Sequence, residues 1–326
     1  MDEDLTDPQL LQMFEIMYKI RQFELTAYDL LGQNMIPGTL HTYAGEEAVA
    51  TGVCLNLTDE DYVSSTHRGH GHCIAKGADI NKMMAELFGK KTGYCKGKGG
   101  SMHITDFKVG MLGANGIVGA GIPIAVGAGL TCKLKYPGRV SVAFFGDGAS
   151  NQGTFHESIN LAAAWNLPVI FVCENNLYAM GTDIRKVTAN PNIADRAIGY
   201  GIKGIIADGM DVLDVYKKAK EAIEHARNGG GPTLLECKTY RIKGHSRYDP
   251  ALYRPKEEVE EWMKRDCITN FKEKILIGEK HIDQNVIHEI EQKVIRQIEQ
   301  AVNFAKESPF PENSSALEDV YAEDLK

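Results

Sequence analysis

The feature that most constrains the fold is a regular alternation of apolar runs and amphipathic stretches across residues 140–240. Short apolar runs predict strands, and the longer amphipathic stretches between them predict helices. The predicted strands cover residues 140–145, 169–173, 205–207 and 233–240. The predicted helices cover residues 154–165 and 212–226. Because strands that alternate with helices pair in parallel, this region predicts a doubly wound α/β domain.

Helices are also predicted at both ends of the chain. Asp7 and Pro8 suit an N-cap and a first helical position, and apolar residues at helical spacing follow as far as Gly32. After residue 255 the sequence becomes charged, and one helix carries an apolar stripe. The stripe consists of Val286, Ile287, Ile290, Val294, Ile298 and Val302. We therefore expect a ligand-binding α/β domain in residues 1–255 and a helical extension with an extended tail in residues 256–326.

The charge and hydropathy of the chain argue against a nucleic-acid-binding protein and against a membrane-spanning one. The net charge is -8, and residues 1–60 hold eleven acidic and two basic side chains, so the rest of the chain is nearly neutral. The pI of about 5.7 lies far from the basic range typical of nucleic-acid-binding domains. No run of about 18 apolar residues is present, so we expect no membrane span.

The seven cysteines are scattered and form no Cys-x-x-Cys pair, which predicts reduced thiols in a cytosolic protein. The acidic first residues do not resemble a signal peptide, so the expected localisation is cytoplasmic. One histidine-rich stretch, made of His67, His70, His72 and Cys73, offers zinc ligands. No second cluster completes a ligand set, so the sequence disfavours zinc there.

Polar side chains follow three of the predicted strands at the points where the strands end. Asp147 follows one strand, Asn176 the next, and His245 a third. Ligands of open parallel sheets bind beyond the carboxyl ends of the strands, so these side chains are expected in one crevice. Carboxylate and amide oxygens suit Mg²⁺, and a helix beginning near Asn151 would aim its amides at a diphosphate. Gly-Asp-Gly and Asn-Asn are also common turns, so an ordinary structural role stays open on spacing alone.

Several ordered motifs give this region a specific resemblance. Gly146-Asp147-Gly148, followed after 26 residues by Asn175-Asn176, resembles the diphosphate-binding motif of thiamine-diphosphate enzymes. The chain is similar, from about residue 8 to residue 322, to the α subunit of the first component of the pyruvate and acetoin dehydrogenase complexes. The further motifs that carry this similarity cover residues 97–103, 113–119, 148–153 and 244–246. The resemblance implies a three-layer, mostly parallel thiamine-diphosphate-binding fold with helical additions at both ends.

The resemblance also implies roles for matching residues. Asp147, Asn176 and the carbonyl of Tyr178 would hold Mg²⁺, and Gly116 and Val118 would line the aminopyrimidine ring. Residues implied to contact the diphosphate are Arg68, His67, Gly148, Ala149 and His245. The family usually has tyrosine where this chain has His67. His41 and His103 fall near the cofactor with His245, which would take part in proton transfer if it titrates near neutrality.

Glycines account for 33 of the 326 residues, and their clusters match the implied cofactor site. Residues 97–100, 113–121 and 146–153 are expected to bring backbone close to the cofactor. The nearby stretches lack the third glycine of a dinucleotide fingerprint. Ser246 matches a regulatory phosphorylation position of mitochondrial relatives, and we interpret it as a structural loop residue.

The implied enzyme needs partners. Glu46 and Glu47 follow Gly45 at an apparent helix start, where acidic side chains favour the helix dipole. In the family, the glutamate that activates the cofactor comes from a β chain. The resemblance therefore implies an α2β2 heterotetramer, inactive without its β subunit, that passes an acyl group to a lipoyl-bearing acyltransferase component.

The motifs divide between two substrates. Residues 64–72 and 111–115 look more like the acetoin enzymes, as does the short N-terminus. Residues 178–182 and 244–246, with Asp249-Pro250, look more like pyruvate dehydrogenase. Acetoin is the favoured substrate and pyruvate the alternative. A third hypothesis is a non-catalytic protein that binds a magnesium diphosphate or nucleotide, because fold does not fix function.

Overall fold

A six-stranded parallel sheet forms the centre of the computed structural model, which describes residues 5–319. The strands in chain order are β1 (Tyr62–Ser64), β2 (Met111–Gly113), β3 (Ser141–Gly146), β4 (Val169–Asn175), β5 (Tyr178–Ala179), β6 (Thr182–Asp183), β7 (Lys203–Asp208) and β8 (Thr233–Lys238). The sheet order is β2-β1-β3-β4-β8-β7, and β5 and β6 form a separate antiparallel pair. The predicted parallel α/β sheet is confirmed, and every residue of the central strand β4 is buried.

Helices cover both faces of the sheet. They are α1 (Asp7–Gly32), α2 (Glu47–Cys54), α3 (His70–Ala75), α4 (Ile80–Leu87), α5 (Gly121–Lys135), α6 (Gly153–Ala164), α7 (Ile184–Val187), α8 (Val212–Arg227), α9 (Lys256–Met263), α10 (Cys267–Asn270) and α11 (Gln284–Glu307). Alternate residues of β3 point to opposite faces: Val142 and Phe144 join one buried cluster, and Ala143 and Phe145 join the other. The first cluster packs against α1, α2 and α8, and the second against α5 and α6, which gives the expected three layers.

The N-terminal helix begins one residue earlier than the sequence predicts. Thr6 is the N-cap, and its amide and hydroxyl both donate to Oε1 of Gln9 at 2.9 Å. Asp7 therefore takes the first helical position, where its negative charge favours the helix dipole. The predicted end at Gly32 is confirmed.

The C-terminal helical addition packs against the N-terminal one. α11 lies along α1 and α4, and Ile287, Val294 and Ile298 of the predicted stripe are buried. Beyond α11, the amide of Lys91 donates to the carbonyl of Pro309 at 3.0 Å, so the start of the predicted tail docks on the body. The six sheet strands all precede residue 239, and the domain division at residue 255 stays a prediction. Across residues 5–319, no helix combines the length and apolar character needed to cross a membrane.

Candidate functional site

The carboxyl ends of the central strands open into a cavity of about 390 Å³. β3 and β4 pair directly, so Asp147 after β3 and Asn176 after β4 lie side by side, and the segment after β8 adds His245. The cavity is lined by all ten residues expected to bind a cofactor or metal, together with His41. Those ten are Arg68, His67, Gly116, Val118, Asp147, Gly148, Ala149, Asn176, Tyr178 and His245. The structure thus assembles one site from segments distant in sequence.

The side chains of Asp147 and Asn176 and the carbonyl of Tyr178 offer three oxygen atoms that fit a hard divalent cation. Asp147 is 2% exposed, its Oδ2 has no hydrogen-bond partner within residues 5–319, and burial raises the pKa of its carboxyl to about 6. Asn176 donates its amide to Glu46 Oε1 at 3.1 Å, while its own side-chain oxygen accepts only a 3.3 Å contact from the amide of Tyr178. A buried carboxylate oxygen without a partner is costly unless a cation or proton satisfies it. The donor set therefore fits Mg²⁺.

Glycine at position 148 allows the chain to close over this donor set. A Cβ on Gly148 would lie 2.5 Å from the Cβ of Ala179 in β5, which is too close for any side chain. The sequence predicts a helix beginning near Asn151, but Asp147–Asn151 forms a 3₁₀ turn and α6 begins at Gly153.

Arg68 supplies a buried positive charge at the cavity. Its side chain is 4% exposed, its Nη1 donates to the carbonyl of Thr42, and its Nη2 donates to the carbonyl of His245 at 3.1 Å. Its Nε lies 3.9 Å from Glu46 Oε1. Burial and the neighbouring Arg241 lower the pKa of the guanidinium to about 10, so the group is still charged at neutral pH. The two carbonyls fix the orientation of the guanidinium group, and a planar guanidinium is suited to bonding phosphate oxygens.

Three histidines from separate segments meet beside Arg68. The ring centroids of His41 and His67, and of His41 and His245, are 4.8 Å apart. Burial, followed by the charge of Arg68, lowers the pKa of His41 to about 3 and of His67 to about 2. The same two causes lower the pKa of His245 to about 4. The expectation that His245 titrates near neutrality is therefore wrong for the cofactor-free chain, in which all three rings are neutral at pH 7.

His103 lies outside the set of cavity-lining residues. It is exposed, and its Nδ1 contacts the carbonyl of Gly99 at 2.9 Å. The glycine stretch before it does not line the cavity, contrary to the sequence prediction. The buried Glu86 carboxylate accepts the amides of Cys95, Gly97, Gly99 and Gly100 at 2.8–3.0 Å. These amides face a fixed internal anion, which explains the glycines without a cofactor.

Two other residues of the histidine-rich stretch, His70 and His72, are held in hydrogen-bond networks. His70 contacts Glu24 at 3.2 Å and Ser101 at 3.0 Å, and His72 contacts Ser65 at 2.7 Å and Glu174 at 2.9 Å. Both ring nitrogens of each residue are therefore occupied. Among the histidines at positions 67, 70 and 72, only His67 keeps a buried ring nitrogen that has no partner within residues 5–319.

Arg241 is a site residue that sequence reasoning missed. Its side chain is 1% exposed and donates to the carbonyls of Tyr178 at 3.1 Å and Met180 at 2.8 Å. Arg241 also donates to the hydroxyl of Tyr253 at 2.7 Å. Its position three residues beyond β8, at the same sheet edge as Asp147, is the signal that could have identified it.

Glu46 is a second cavity residue whose setting the sequence did not indicate. It is the N-cap of α2 and is fully buried, and burial with the charge of Glu174 raises its pKa to about 8. Glu47, by contrast, is held away from the cavity by Arg21 and by the amide of Gly45. The helix-start interpretation is right for both residues, although Glu46 also faces the cavity.

The sequence matches a known protein family and is similar to several known proteins. The family model described as Dehydrogenase E1 component matches residues 15–314. The chain is 55% identical over 318 residues to the α subunit of acetoin:2,6-dichlorophenolindophenol oxidoreductase from Bacillus subtilis strain 168, covering 97% of this chain and 95% of that protein. Identity to the Cupriavidus necator subunit of the same name is 48% over 317 residues, covering 96% and 94%. Identity to the chloroplastic pyruvate dehydrogenase E1 component subunit alpha-3 of Oryza sativa is 41% over 328 residues, covering 98% and 77%.

Proposed function

Because the chain belongs to the dehydrogenase E1 component family, we propose that it is the α subunit of a thiamine-diphosphate-dependent acetoin dehydrogenase. The enzyme cleaves acetoin and transfers the acetyl group to a lipoyl group. The observation that carries the substrate assignment is the identity of 55% and 48% to two acetoin-oxidoreductase α subunits. Identity to the pyruvate dehydrogenase subunit from rice is 41%.

The cavity residues divide the work of holding the cofactor. In this proposal Asp147, Asn176 and the Tyr178 carbonyl hold Mg²⁺, and the unpartnered Oδ2 of Asp147 supports that assignment. Arg68 and the amides of Gly148 and Ala149 bind the diphosphate. When bound, the cofactor would add to the carbonyl carbon of the substrate and would accept the electron pair of the carbon–carbon bond that breaks.

Protein groups near the diphosphate set charge and proton positions. Arg68 is held by two backbone carbonyls, so its charge is oriented before any ligand arrives. His67 and His245 are neutral in the cofactor-free chain and can each donate one ring proton to a phosphate oxygen. Gly116 and Val118 line the part of the cavity assigned to the aminopyrimidine ring.

A β subunit completes the site in this proposal. The carboxylates that line the cavity within residues 5–319 are Asp147, Glu46 and Glu174. Glu174 is bonded by His72 and Tyr43. Glu46 lies beside Asn176 and Arg68, which are assigned to Mg²⁺ and the diphosphate and not to the aminopyrimidine ring, and this supports a partner chain as the source of the activating glutamate. At the cavity mouth Ile117 is 73% exposed and Val118 50% exposed, as expected for apolar side chains that a partner covers.

The proposal extends to assembly and location. The subunit forms an α2β2 heterotetramer and works with a lipoyl-bearing acyltransferase component. Its seven cysteines are all unpaired and six are buried, which supports a reducing compartment and a cytoplasmic location. Gel filtration of the co-expressed chains and cell fractionation test these two statements.

Pyruvate is the second candidate substrate. The stretches from Tyr178 to Thr182 and from Gly244 to Ser246 favour it, because they look more like pyruvate dehydrogenase. The deciding experiment co-purifies the α and β chains and compares reduction of 2,6-dichlorophenolindophenol with acetoin and with pyruvate. Faster reduction with acetoin is expected, and reduction with pyruvate alone would overturn the assignment.

Absence of reduction with either substrate would favour the non-catalytic alternative. In that case calorimetry with thiamine diphosphate and with a nucleoside diphosphate, each with Mg²⁺, would identify the ligand. The α chain alone is the matched control and is expected to be inactive with both substrates.

A further inference from the structure

The three cavity histidines offer more than diphosphate contacts. His41 precedes α2, His67 follows β1, and His245 follows β8, so three separate segments bring one ring each to the same place. One nitrogen from each ring belongs to a set of three atoms that all lie within 4.8 Å of one another. Each ring also has a buried nitrogen to which no described residue of the chain forms a hydrogen bond: Nδ1 of His41, Nε2 of His67 and Nδ1 of His245. No other site in residues 5–319 groups three such ligands.

The spacing is close to that of a three-histidine metal centre. Three atoms no more than 4.8 Å apart all lie within about 2.8 Å of a central point. Zn–N bonds are about 2.0–2.1 Å, so each nitrogen would need to move inward by less than about 0.8 Å. Rotation of imidazole rings carried on loop segments can supply a movement of this size.

The chemistry of the cluster selects a different cation from the oxygen donors. Neutral imidazoles suit Zn²⁺, Co²⁺, Ni²⁺ and Cu²⁺, whereas Mg²⁺ prefers oxygen ligands. All three rings are neutral at pH 7, so no bound proton has to leave. Arg68 and Arg241 oppose a cation in this cavity, and the carboxylate of Asp147, which is ionised at pH 7, offsets part of their charge.

We propose that His41, His67 and His245 form a binding site for a transition-metal cation of the Zn²⁺ class in the cofactor-free chain, and that the cation excludes the diphosphate. The exclusion rests on the proposed function, because His67 and His245 are assigned to the diphosphate there. The buried, unpartnered nitrogens of His67 and His245 would be bonded to the metal, so these two nitrogens could not also donate protons to phosphate oxygens. Metal and cofactor then compete, and the cation holds the subunit in an unloaded state.

The test uses Co²⁺ as the probe, because tetrahedral Co²⁺ absorbs strongly in the visible range. Co²⁺ is titrated into the full-length chain co-purified with its β subunit and freed of cofactor, with free Co²⁺ fixed by a metal buffer so that chelation by thiamine diphosphate has no effect. A saturable visible band with one ion per α chain is expected. Thiamine diphosphate with excess Mg²⁺ should abolish the band. Absence of the band, or coordination by oxygen alone in zinc X-ray absorption spectra, would overturn the site.

Variants identify the ligands. His41→Asn, His67→Asn and His245→Asn should each weaken Co²⁺ binding more than about 10-fold, since even the loss of an outer-shell partner costs 10–100-fold. His288→Asn on the exposed face of α11 is the matched control and should bind as the native chain does. Equal binding by all four variants would overturn the ligand assignment. Zinc X-ray absorption of the native chain, which should show about three imidazoles, needs no variant to fold.

The two proposals fail in different ways. If calorimetry shows cofactor binding but the Co²⁺ band persists, the exclusion is wrong and the proposed function stands. If no cofactor binds at all, the proposed function fails, while the metal band still tests the histidine site.

Discussion

Arg241 donates a hydrogen bond from Nη1 to the carbonyl of Tyr178 at 3.1 Å. That carbonyl is the third oxygen proposed for Mg²⁺, and a second bond from Arg241 to the carbonyl of Met180 at 2.8 Å holds the same turn. The side chain is buried, so the turn is fixed from within the protein. The orientation of the Tyr178 carbonyl therefore depends on Arg241, which bonds the turn from below.

Arg241→Lys is expected to weaken Mg²⁺-dependent cofactor binding about 10–100-fold, the usual cost of losing an outer-shell partner. A lysine cannot bridge both carbonyls, because its ammonium is a point donor and not a planar fork. Calorimetric titration of the co-purified subunits measures the loss. Arg227→Lys is the control, because Arg227 bonds Asp61 and Gly138 away from the cavity, and its binding should be unchanged.

Asp147→Asn is expected to stabilise the cofactor-free chain at pH 7.5. The folded-state pKa of about 6 lies above the ordinary 3.8, so the charged carboxylate destabilises the fold above pH 6, and that penalty disappears below the ordinary pKa. The asparagine removes a penalty of up to about 3 kcal/mol. Thermal unfolding at pH 7.5 and pH 4 measures the difference, which should shrink at pH 4. A lower midpoint for the variant at pH 7.5 would contradict the buried carboxylate.

The pH dependence of cofactor binding should follow the same carboxyl group. Below pH 6 Asp147 carries a proton that Mg²⁺ must displace, so affinity should fall about tenfold per pH unit. His41, His67 and His245, with pKa values of about 2 to 4, stay neutral through this window, and Glu46 titrates near pH 8. Titrations in two buffers of different ionisation enthalpy measure the protons released. Constant affinity from pH 7 to pH 5 would be incompatible with Asp147 as a ligand.

Glu86→Gln tests the internal anion of the glycine loop. A glutamine directs amide hydrogens at backbone amides that now meet a carboxylate, so we expect a loss of about 2–3 kcal/mol of unfolding free energy. Hydrogen exchange should accelerate between Cys95 and His103. Glu221→Gln is the control, because its exposed pair with Lys203 contributes little. Unchanged exchange in the loop would mean that Glu86 does not organise it.

The regular half of the fold could be predicted from the sequence, because the apolar runs of β3, β4 and β8 are buried on both faces and alternate with amphipathic helices. β3, β4, β7, β8 and α8 lie within a few residues of their predicted positions. β1 and β2 have three residues each within the stretch rich in glycine and histidine, so they show no periodicity. Their place at the sheet edge depends on pairing with β3 and with each other.

Part of the candidate site could also be predicted from the sequence, because it follows from the order of the strands. Asp147 and Asn176 follow strands, so their juxtaposition follows from parallel pairing alone. Arg241 and Glu46 were missed or undervalued because the burial of a charged side chain is decided by contacts between distant segments. The pKa of His245 is likewise lowered by burial and then by Arg68, which lies 177 residues away in the chain but next to His245 in the fold.

Calorimetric titration of thiamine diphosphate and Mg²⁺ into the co-purified α and β chains tests the cofactor site most directly. The native pair is compared with a pair that carries Asp147→Asn. The native pair is expected to bind one cofactor per α chain only when Mg²⁺ is present. The variant, equally folded by circular dichroism, is expected to show no binding. Equal binding by the variant, or no binding by the native pair, would contradict a thiamine-diphosphate site at the ends of β3 and β4.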